Sequence, residues 1–464
     1  MTQMNDQSNA TVSATLANWI AGLTLDDIDP RARSATEDTV LDTVGLSVAA
    51  LDTDYGRAAR TAFATPGNCT VWGLPEGRES AAAALINGTC GHGEDYDNTF
   101  EGCPMHAGVV IVPALFAAGE ALSLPARDVA RGLVVGTEIC NRLGLVAGKA
   151  THKAGFHPTA IMGTMGAAAG VAAAMRQTPE QIRDTLGVAA SMAAGIIEYL
   201  ADGSWTKRMH AGWAAQSGLR AAQMGAAGFR GPQTVFEGVH GLYAAFAPSI
   251  TPDFAPLLDD LGTRWEAANV AFKPYACGTM TQPFIDCAVR LKARGITPDQ
   301  IVRMTCNVGE GTVHRLWEPL DLKQAPPTAY AAKFSSPYTI AAGLIHGGAG
   351  LAEFTEAAVQ DPEARALAAK VSYVIDPDDE YPLNYTGHIR AELTDGTVVE
   401  ERQPQLRGGV KEPLSRDELR DKAAANLSFA GRRGEAAAEL SSFAASIFDS
   451  DARFDASPLA RLGA

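Results

Sequence analysis

Residues 159–175 read TAIMGTMGAAAGVAAAM, and this stretch decides how most of the chain folds. Almost every side chain in it is small or apolar, and Arg176 follows it directly. It is too short to span a bilayer. No β-branched strand precedes it, as a glycine motif for dinucleotide binding requires. A helix that is apolar on all sides is buried. The stretch is therefore predicted to be the buried centre of a helical domain.

Further helical patterns surround this centre on both sides. Thr178-Pro179-Glu180-Gln181 has the spacing of a capping box, with proline at the first helical position. A short extended piece is predicted at residues 70–72, after a turn at 66–68. Residues 1–265 are thus predicted to form a large all-helical domain. Its main predicted helices are residues 11–23, 30–51, about 125–143, 159–175, 179–194 and 207–227.

Strand patterns appear beyond residue 265. Residues 387–393 and 397–402 flank the tight turn Asp395-Gly396 and predict a β-hairpin. Ser415 opens a further capping box that starts the C-terminal helices. We predict a smaller α+β lid domain at residues 266–405 and C-terminal helices at 406–464 that return to the helical domain. The predicted fold class is therefore mainly α. Further strands are predicted at 301–308 and 370–375, and helices at 336–344 and 351–359.

Composition and charge argue against several classes of protein. The 464 residues include 38 Lys and Arg against 53 Asp and Glu, a net charge of −15, and no basic run offsets it. Nucleic acid is therefore not expected as a partner. The seven cysteines are scattered and form no C-x-x-C pair, which argues against a disulfide framework or structural zinc. Residues 1–9 lack the apolar segment of a signal peptide, and no long apolar run occurs. We expect a cytoplasmic protein with no membrane contact.

Five polar clusters interrupt the apolar sequence. The first, GHGEDYDNTFEGCPMHAG at residues 91–108, lies between two apolar tracts. A core rarely tolerates unpaired carboxylates, so this stretch is predicted to form one wall of an active site. If residues 95–99 form one helical turn, Asp95, Asn98 and Thr99 share a face. His106 follows just beyond Pro104.

The other four clusters add histidines and lysines. In AGFHPT, residues 154–159, His157 precedes a proline and is biased out of helix. It comes just before the small-residue helix, whose N-terminal amides can bind an anion. In GSWTKRMH, residues 203–210, Lys207 and His210 share a helical face. FKPYACG, residues 272–278, contributes Lys273, and AKFSSPY, residues 332–338, contributes Lys333.

Taken singly, each of these residues is more often structural than catalytic. A lone histidine is usually a satisfied buried group, and Asp95 could simply cap a helix. Cys277 is expected to be a buried thiol, because no general base stands near it in sequence. A metal site made of His92, His106 and Asp95 is not favoured, because their spacing is not that of a metal motif. It is the set of clusters together that predicts a site.

In this order the clusters resemble the MmgE/PrpD family. Members include 2-methylcitrate dehydratase, cis-aconitate decarboxylase and iminodisuccinate epimerase. The resemblance covers about residues 11–440 and implies a helical domain plus an α+β lid, with the site in the cleft between them. It also implies a homodimer that uses no metal and no organic cofactor. The matching pieces are HGEDYDNTF, GFHPTAIMGTMGAAAG, KRMHAGWAAQSGLRAAQMGAAGF, KPYACGTMTQPFIDCA and AAKFSSPYTIAAGLIHG.

The resemblance also implies a substrate and a set of site residues. The substrate would be a small di- or tricarboxylate, held by charge-assisted hydrogen bonds. His157 would be the base that removes a proton next to a carboxylate, since a neutral imidazole suits that task near neutral pH. The expected catalytic residues are His157, Lys207, Asp95 and His106, and the expected substrate-binding residues are Thr99, Lys273, Tyr275 and Arg208.

Two departures from the family pattern bear on the reaction. His106-Ala107-Gly108 continues with two valines where the dehydratases resemble H-P-S-D-N, and Thr281-Gln282 stands where many members have a histidine. Both favour an iminodisuccinate-type epimerase, with Lys207, His106 or Tyr275 as the second acid or base. One alternative is a lyase of the same family, either a 2-methylcitrate-like dehydratase or a cis-aconitate-like decarboxylase. The other is a non-catalytic carboxylate-binding protein.

Overall fold

The computed structural model describes residues 11–462, so the prediction about a signal peptide at residues 1–9 lies outside it. The chain divides by its contacts into two compact units. Unit 1 comprises the described residues up to Gly93, Asn98–Val270 and those from Glu435 onward. Unit 2 comprises Glu94–Asp97 and Ala271–Gly434. The domain boundaries predicted at residues 265 and 405 stay predictions.

The protein is mainly α, with a smaller α+β part, as the sequence predicts. Short 3₁₀ turns link several of the α-helices. In chain order the α-helices are α1 Val12–Gly22, α2 Pro30–Ala49, α3 Asp54–Ala62, α4 Ser80–His92, α5 Gly108–Leu122, α6 Ala126–Ala147, α7 Ala150–Lys153, α8 Pro158–Ala174, α9 Pro179–Met192, α10 Tyr199–Asp202, α11 Thr206–Ala226, α12 Leu242–Phe246, α13 Ala255–Leu258, α14 Gln282–Ala293, α15 Glu310–Leu316, α16 Leu320–Gln324, α17 Ala329–Ala332, α18 Ser336–His346, α19 Glu356–Val359, α20 Pro362–Ala368, α21 Arg416–Phe429 and α22 Ala436–Asp449.

Helix α8, the small-residue stretch, is the centre of unit 1. Every one of its residues is buried, and it packs against α5, α6, α9 and α11. Glycine permits the close approach of α6. A Cβ at Gly166 would lie 2.7 Å from the carbonyl oxygen of Gly136, and one at Gly170 would lie 2.5 Å from that of Gly132. The absence of side chains thus lets the two backbones touch, as the composition of this stretch predicts.

Unit 2 is built around a four-stranded sheet in the order β5-β4-β6-β7. β4 pairs parallel with β5 and antiparallel with β6, and β6 pairs antiparallel with β7. The predicted hairpin is confirmed, and the amide of Thr397 donates to Asp395 Oδ1 at 2.8 Å in its turn. Helix α14 packs against β6 and β7. The strands are β1 Pro66–Cys69, β2 Thr99–Phe100, β3 Val270–Ala271, β4 Ile301–Val308, β5 Val371–Ile375, β6 Gly387–Leu393 and β7 Val398–Gln403.

Two local predictions are wrong. The extended piece lies at Pro66–Cys69, where a turn was expected, and not at residues 70–72. The reason is a side chain: Asn87 accepts from the amide of Trp72 at 3.1 Å and donates to the carbonyl of Thr70 at 3.0 Å. The helix predicted at 351–359 is two short pieces, because Thr355 caps a new start. None of the helices within residues 11–462 combines the length and the apolar run needed to cross a bilayer.

Candidate active site

The segment that follows α4 does not form the predicted helical turn. Asp95 has a φ of 55°, in the left-handed region, which a right-handed helix cannot contain. Thr99 lies in strand β2, and its Oγ1 donates to the carbonyl of Met105 at 3.1 Å. Asp95, Asn98 and Thr99 therefore do not share a helical face. By its contacts Asp95 belongs to unit 2, whereas Thr99 belongs to unit 1.

Four histidines come together in unit 1, and we call His92, His106, His157 and His210 the histidine cluster. The ring centroids of His92 lie 4.9 Å from His106 and 5.6 Å from His157, and the second pair is stacked with an interplanar angle of 20°. The rings of His157 and His210 are 5.3 Å apart. Such short separations allow the charge on one imidazole to act on the next.

Helix ends position these histidines. His92 is the last residue of α4, and His106 precedes the start of α5 by two residues. His157 is the N-cap residue of α8, with extended dihedral angles imposed by Pro158, as predicted. His210 and Lys207 lie near the start of α11. The N-termini of α5, α8 and α11 therefore lie at the cluster, and each carries a partial positive charge that favours a bound carboxylate.

His106 is oriented by two hydrogen bonds. Its amide donates to Thr159 Oγ1 at 3.1 Å, and its Nδ1 lies 2.8 Å from the carbonyl oxygen of Asn98. A carbonyl only accepts, so Nδ1 carries the proton of the neutral ring and Nε2 carries the lone pair. The amide of Asn98 in turn donates to Asp42 Oδ2 at 3.1 Å, and its side-chain amide donates to Thr39 Oγ1 at 3.2 Å.

His157 is the most strongly perturbed group of the cluster. It is buried, and its pKa lies well below the usual value of 6.5, chiefly because of burial and then because of His92 and Lys207 nearby. Burial also lowers the pKa of His210 to about 4. The Nδ1 atoms of His157 and His210 are 3.2 Å apart. Both imidazoles are therefore neutral near pH 7, and one shares a proton with the other.

Arg208 follows Lys207 on α11 and lies over an aromatic ring. Its guanidinium carbon is 4.4 Å from the ring centroid of Tyr55. Such a contact is a cation–π interaction between the guanidinium and the ring face. Binding of substrate by Arg208 and Thr99 stays a prediction.

In unit 2, the predicted residues Asp95 and Lys273 contact each other. Lys273 Nζ donates to the carbonyl of Asp95 at 2.7 Å and lies 3.8 Å from its Oδ1. Both side chains are almost completely buried. The hydroxyl of Tyr330 lies 3.4 Å from Asp95 Oδ2. The carboxylate of Asp95 is thus held between a cation and a phenol.

Two more buried lysines hold the residues on either side of Asp95. Lys333 Nζ donates to the carbonyl of Glu94 at 2.8 Å and lies 3.1 Å from Glu94 Oε2. Lys422 Nζ donates to the carbonyl of Tyr96 at 2.8 Å. Together Lys273, Lys333 and Lys422 bind three successive carbonyls, and we call them the lysine clamp. The clamp fixes the left-handed backbone at Asp95.

Tyr275 has a buried partner. Its hydroxyl donates to Asp286 Oδ1 at 2.7 Å, and Arg407 Nη1 lies 3.5 Å from the same oxygen. Burial raises the pKa of Asp286 to about 6, and burial together with that carboxylate raises the pKa of Tyr275. A phenol that is bonded to a carboxylate and has a raised pKa is a poor proton donor. The role of Tyr275 at the substrate stays a prediction.

The structure thus brings His157, His106 and Lys207 together in unit 1 and Asp95 and Lys273 together in unit 2. His210 was not among the predicted site residues, although its i, i+3 spacing from Lys207 was a signal for it. For His92 the sequence suggests only the role of a candidate metal ligand. Lys422 gave no signal, because its partner lies 326 residues away in sequence. Zinc sites use three or four protein ligands, so His92 and His106 would hold such an ion only with further groups.

Comparison with known proteins bears on the whole chain. Residues 14–255 match the model of the MmgE/PrpD N-terminal domain, and residues 275–444 match that of the MmgE/PrpD C-terminal domain. Cis-aconitate decarboxylase of Mus musculus is 27% identical over 90% of this chain and 87% of its own length. The Homo sapiens protein of that name is 28% identical over 90% and 88%. That of Aspergillus terreus (strain NIH 2624 / FGSC A1156) is 26% identical over 90% of each chain. These names favour the lyase alternative over the epimerase.

Proposed function

Since the chain belongs to the MmgE/PrpD family, we propose that it is a lyase that decarboxylates a small tricarboxylate of the cis-aconitate kind. The relatives that match over 90% of the chain carry this name. The structural observation that carries the proposal is the buried imidazole of His157, which is stacked on His92 and hydrogen-bonded to His210. Lys207 stands near it and helps to depress its pKa.

The surroundings of the histidine cluster suit an anionic substrate. The protein as a whole carries a net charge of −15, so a carboxylate needs a locally positive place to bind. The starts of α5, α8 and α11 and the ammonium group of Lys207 supply such a place. Lys207 and His106 are proposed to bind the substrate carboxylates.

The proposed reaction moves two electron pairs and one proton. In a propene tricarboxylate, the bond between the CH2 group and its carboxylate breaks and carbon dioxide leaves. The released pair forms a new C=C bond to the central carbon, and the old double bond delivers its pair to the CH carbon beside another carboxylate. That carbon then takes a proton from the imidazolium of His157. Lys207 stabilises the negative charge that develops on the neighbouring carboxylate.

The negative charge of the bound substrate favours protonation of His157. In the free protein this imidazole is neutral, because burial and nearby cationic groups lower its pKa. A bound trianion adds negative charge within a few ångströms, which raises the pKa of an imidazole. We therefore propose that binding takes up a proton from solvent, and that this proton is the one delivered to carbon.

The test is product analysis by NMR in deuterated water. We expect cis-aconitate to yield carbon dioxide and an alkene dicarboxylate that carries one solvent deuteron on the carbon beside a carboxylate. Alkene formation from 2-methylcitrate with loss of water, and no decarboxylation of cis-aconitate, would assign a dehydratase instead. If no tricarboxylate is turned over, the lyase proposal fails.

The epimerase predicted from the sequence is the second candidate. The observation that favours it is the pair of valines after His106-Ala107-Gly108, where the dehydratases have polar residues. In that reaction neutral His157 would remove the proton beside a carboxylate, and Lys207 or His106 would return one from the opposite face. Solvent deuterium in an inverted, recovered dicarboxylate, with no alkene and no carbon dioxide, would select this candidate.

The remaining predicted features follow from the family. We propose that Asp95, Lys273, Thr99 and Arg208 contribute to substrate binding, that two copies of the chain form a homodimer, and that no metal or organic cofactor is used. Light scattering of the purified protein should give twice the chain mass of 48.6 kDa. Dialysis against a chelator should leave the turnover of substrate unchanged. A loss that added divalent metal reverses would overturn the last point.

A further inference from the structure

The hydrogen bond between His157 and His210 restricts the protons on both rings. Their Nδ1 atoms are 3.2 Å apart and both side chains are 4% exposed. Two N–H groups cannot face each other at this distance, and two lone pairs form no bond. One Nδ1 therefore carries a proton and the other does not. A neutral imidazole carries a single proton. The ring with a protonated Nδ1 therefore has no proton on Nε2, and the other ring has its proton on Nε2.

Only one of the two arrangements is compatible with acid or base chemistry at His157. When the imidazole of His157 is protonated, both of its nitrogens carry hydrogen, and Nδ1 can only donate. His210 must then accept at Nδ1 and carry its own proton on Nε2. If His210 donated instead, protonation of His157 would break the bond and leave two buried N–H groups opposed.

His210 is held in place for this role. Its ring lies against the backbone of Gly195, where a Cβ would come within 3.3 Å of its Cδ2 and Cε1 atoms. The carbonyl of the same glycine accepts from the amide of His157 at 2.9 Å. The ring of Tyr199 lies 6.0 Å from that of His157 and 5.9 Å from that of His210. The segment 195–199, which runs into the start of α10, thus contacts both rings and restricts rotation of the acceptor.

We propose that His210 is a positioning residue, which accepts a hydrogen bond from Nδ1–H of His157 and so leaves Nε2 of His157 to exchange the proton with substrate. The low pKa of His210, about 4, keeps its Nδ1 lone pair free at neutral pH. His92, His106, Lys207 and Tyr199 are further ionisable groups near the pair. The catalytic consequence rests on the proposed function, whereas the tautomer itself does not.

The first experiment determines, without any substrate, which ring nitrogens of His157 and His210 carry protons. The full chain is labelled with ¹⁵N in its nine histidines, and the His157→Gln variant assigns the His157 signals. We expect a proton on Nδ1 and none on Nε2 of His157, and the reverse for His210. In the His210→Leu variant the Nδ1–H form of His157 should lose its preference. A proton on Nε2 of wild-type His157 at pH 7 would overturn the inference, whether or not the enzyme turns over cis-aconitate.

The second experiment separates positioning from folding. In His210→Asn the side-chain oxygen can take the place of Nδ1 as acceptor, whereas His210→Leu removes it at similar volume. We expect kcat of His210→Leu to fall by about 10- to 100-fold, the effect of removing a partner that orients a histidine, with little change in KM. His210→Asn should recover most of kcat. Exposed His240 supplies the control, since His240→Asn should behave as wild type.

The outcomes distinguish the role of His210 from the proposed lyase reaction. Equal kcat values for His210→Leu and wild type would overturn the positioning role and leave the lyase proposal intact. Equal losses in the Leu and Asn variants, with equally lowered thermal midpoints, would reduce His210 to a packing residue and also overturn it. A chain without turnover, whose ¹⁵N spectrum has the expected tautomers, would sink the lyase proposal and leave the geometry standing.

Discussion

The histidine cluster of unit 1 and the lysine clamp of unit 2 solve the problem of buried polar groups in different ways. In the cluster, one imidazole stacks on another, as His92 does on His157, and two share a proton, as His157 and His210 do. In the clamp, each ammonium group donates to a backbone carbonyl of residues 94–96. The cluster therefore contains groups that exchange protons, and the clamp contains groups that hold a backbone in place.

The choice of residue type follows from this difference. Histidine is the side chain whose ordinary pKa lies close to neutrality, whereas that of lysine lies near 10. Burial keeps an imidazole neutral near pH 7, as the lowered pKa values of His157 and His210 illustrate. Changes in the cluster should therefore alter turnover and its response to pH, and changes in the clamp should alter the free energy of unfolding.

The largest effect is expected at His157. His157→Gln keeps a polar side chain but cannot carry the transferred proton, so turnover should fall by about 10²- to 10⁴-fold, the usual contribution of a general acid or base. Steady-state kinetics with cis-aconitate measures it. His240→Gln at an exposed histidine is the control. If His157→Gln keeps full turnover, His157 is not the catalytic acid or base. If instead the wild-type protein binds the tricarboxylate without turning it over, the non-catalytic carboxylate-binding hypothesis gains support.

The pH dependence of stability should reveal the buried pair. Between the ordinary pKa of 6.5 and the folded value of about 4, the unfolded chain binds a proton at His210 that the folded chain does not. Stability therefore falls as pH is lowered through this window, by at most about 3 kcal/mol for this group. Denaturant unfolding at pH 7, 6, 5 and 4 measures the slope. The His210→Asn variant should show a flatter slope, and identical slopes would contradict the prediction.

A smaller effect is expected in the clamp. Lys333→Met keeps the length of the side chain but leaves the carbonyls of Glu94 and Ala276 without this donor. The free energy of unfolding should fall by about 1–3 kcal/mol, the cost of a buried polar group left unpaired. Denaturant unfolding at pH 7 measures it.

The matched control for this variant is Lys292→Met. Lys292 is exposed and also donates to a carbonyl, that of Ile345. Water can replace this donor, so its loss should change stability by less than about 0.5 kcal/mol. Equal effects of the two variants would mean that burial of the clamp is energetically unimportant.

The smallest effect tests the support of the cluster. Thr159→Val keeps the shape of the side chain but removes the acceptor of the His106 amide. The loss of one hydrogen bond costs about 0.5–1.5 kcal/mol. A raised KM for the tricarboxylate with kcat nearly unchanged should accompany it, because His106 is proposed to bind a carboxylate. An unchanged KM would remove His106 from the proposed binding residues.

Local signals in the sequence predicted most of the fold. The capping boxes at Thr178 and Ser415 start helices, and the Asp-Gly turn at Asp395 closes the hairpin. Pro158 fixes the extended backbone of His157. Each of these signals acts within a few residues, so one sequence is enough to read it.

The parts that escaped prediction depend on distant partners. The left-handed backbone at Asp95 is held by lysines 178 to 326 residues away, and no pattern near Asp95 indicates them. The backbone at residues 70–72, predicted to be extended, is bonded instead by the side chain of Asn87, which is also distant in sequence. In the cluster, the family motifs indicated His157, His106 and Lys207. The mutual bonding of the rings follows only from how α8 and α11 pack.

The contact of α8 with α6 has a consequence for how His157 is held. Alanine and glycine have no side-chain rotamers, so ordering these residues of α8 costs backbone entropy and no side-chain entropy. Where glycines let the backbones touch, at Gly136 and Gly166, there is no flexible group to rearrange. The backbone at the N-cap of α8 therefore has few alternative conformations, and this fixes the position from which the imidazole of His157 extends. The entropic cost of orienting His157 is therefore part of the free energy of folding and does not arise again when substrate binds.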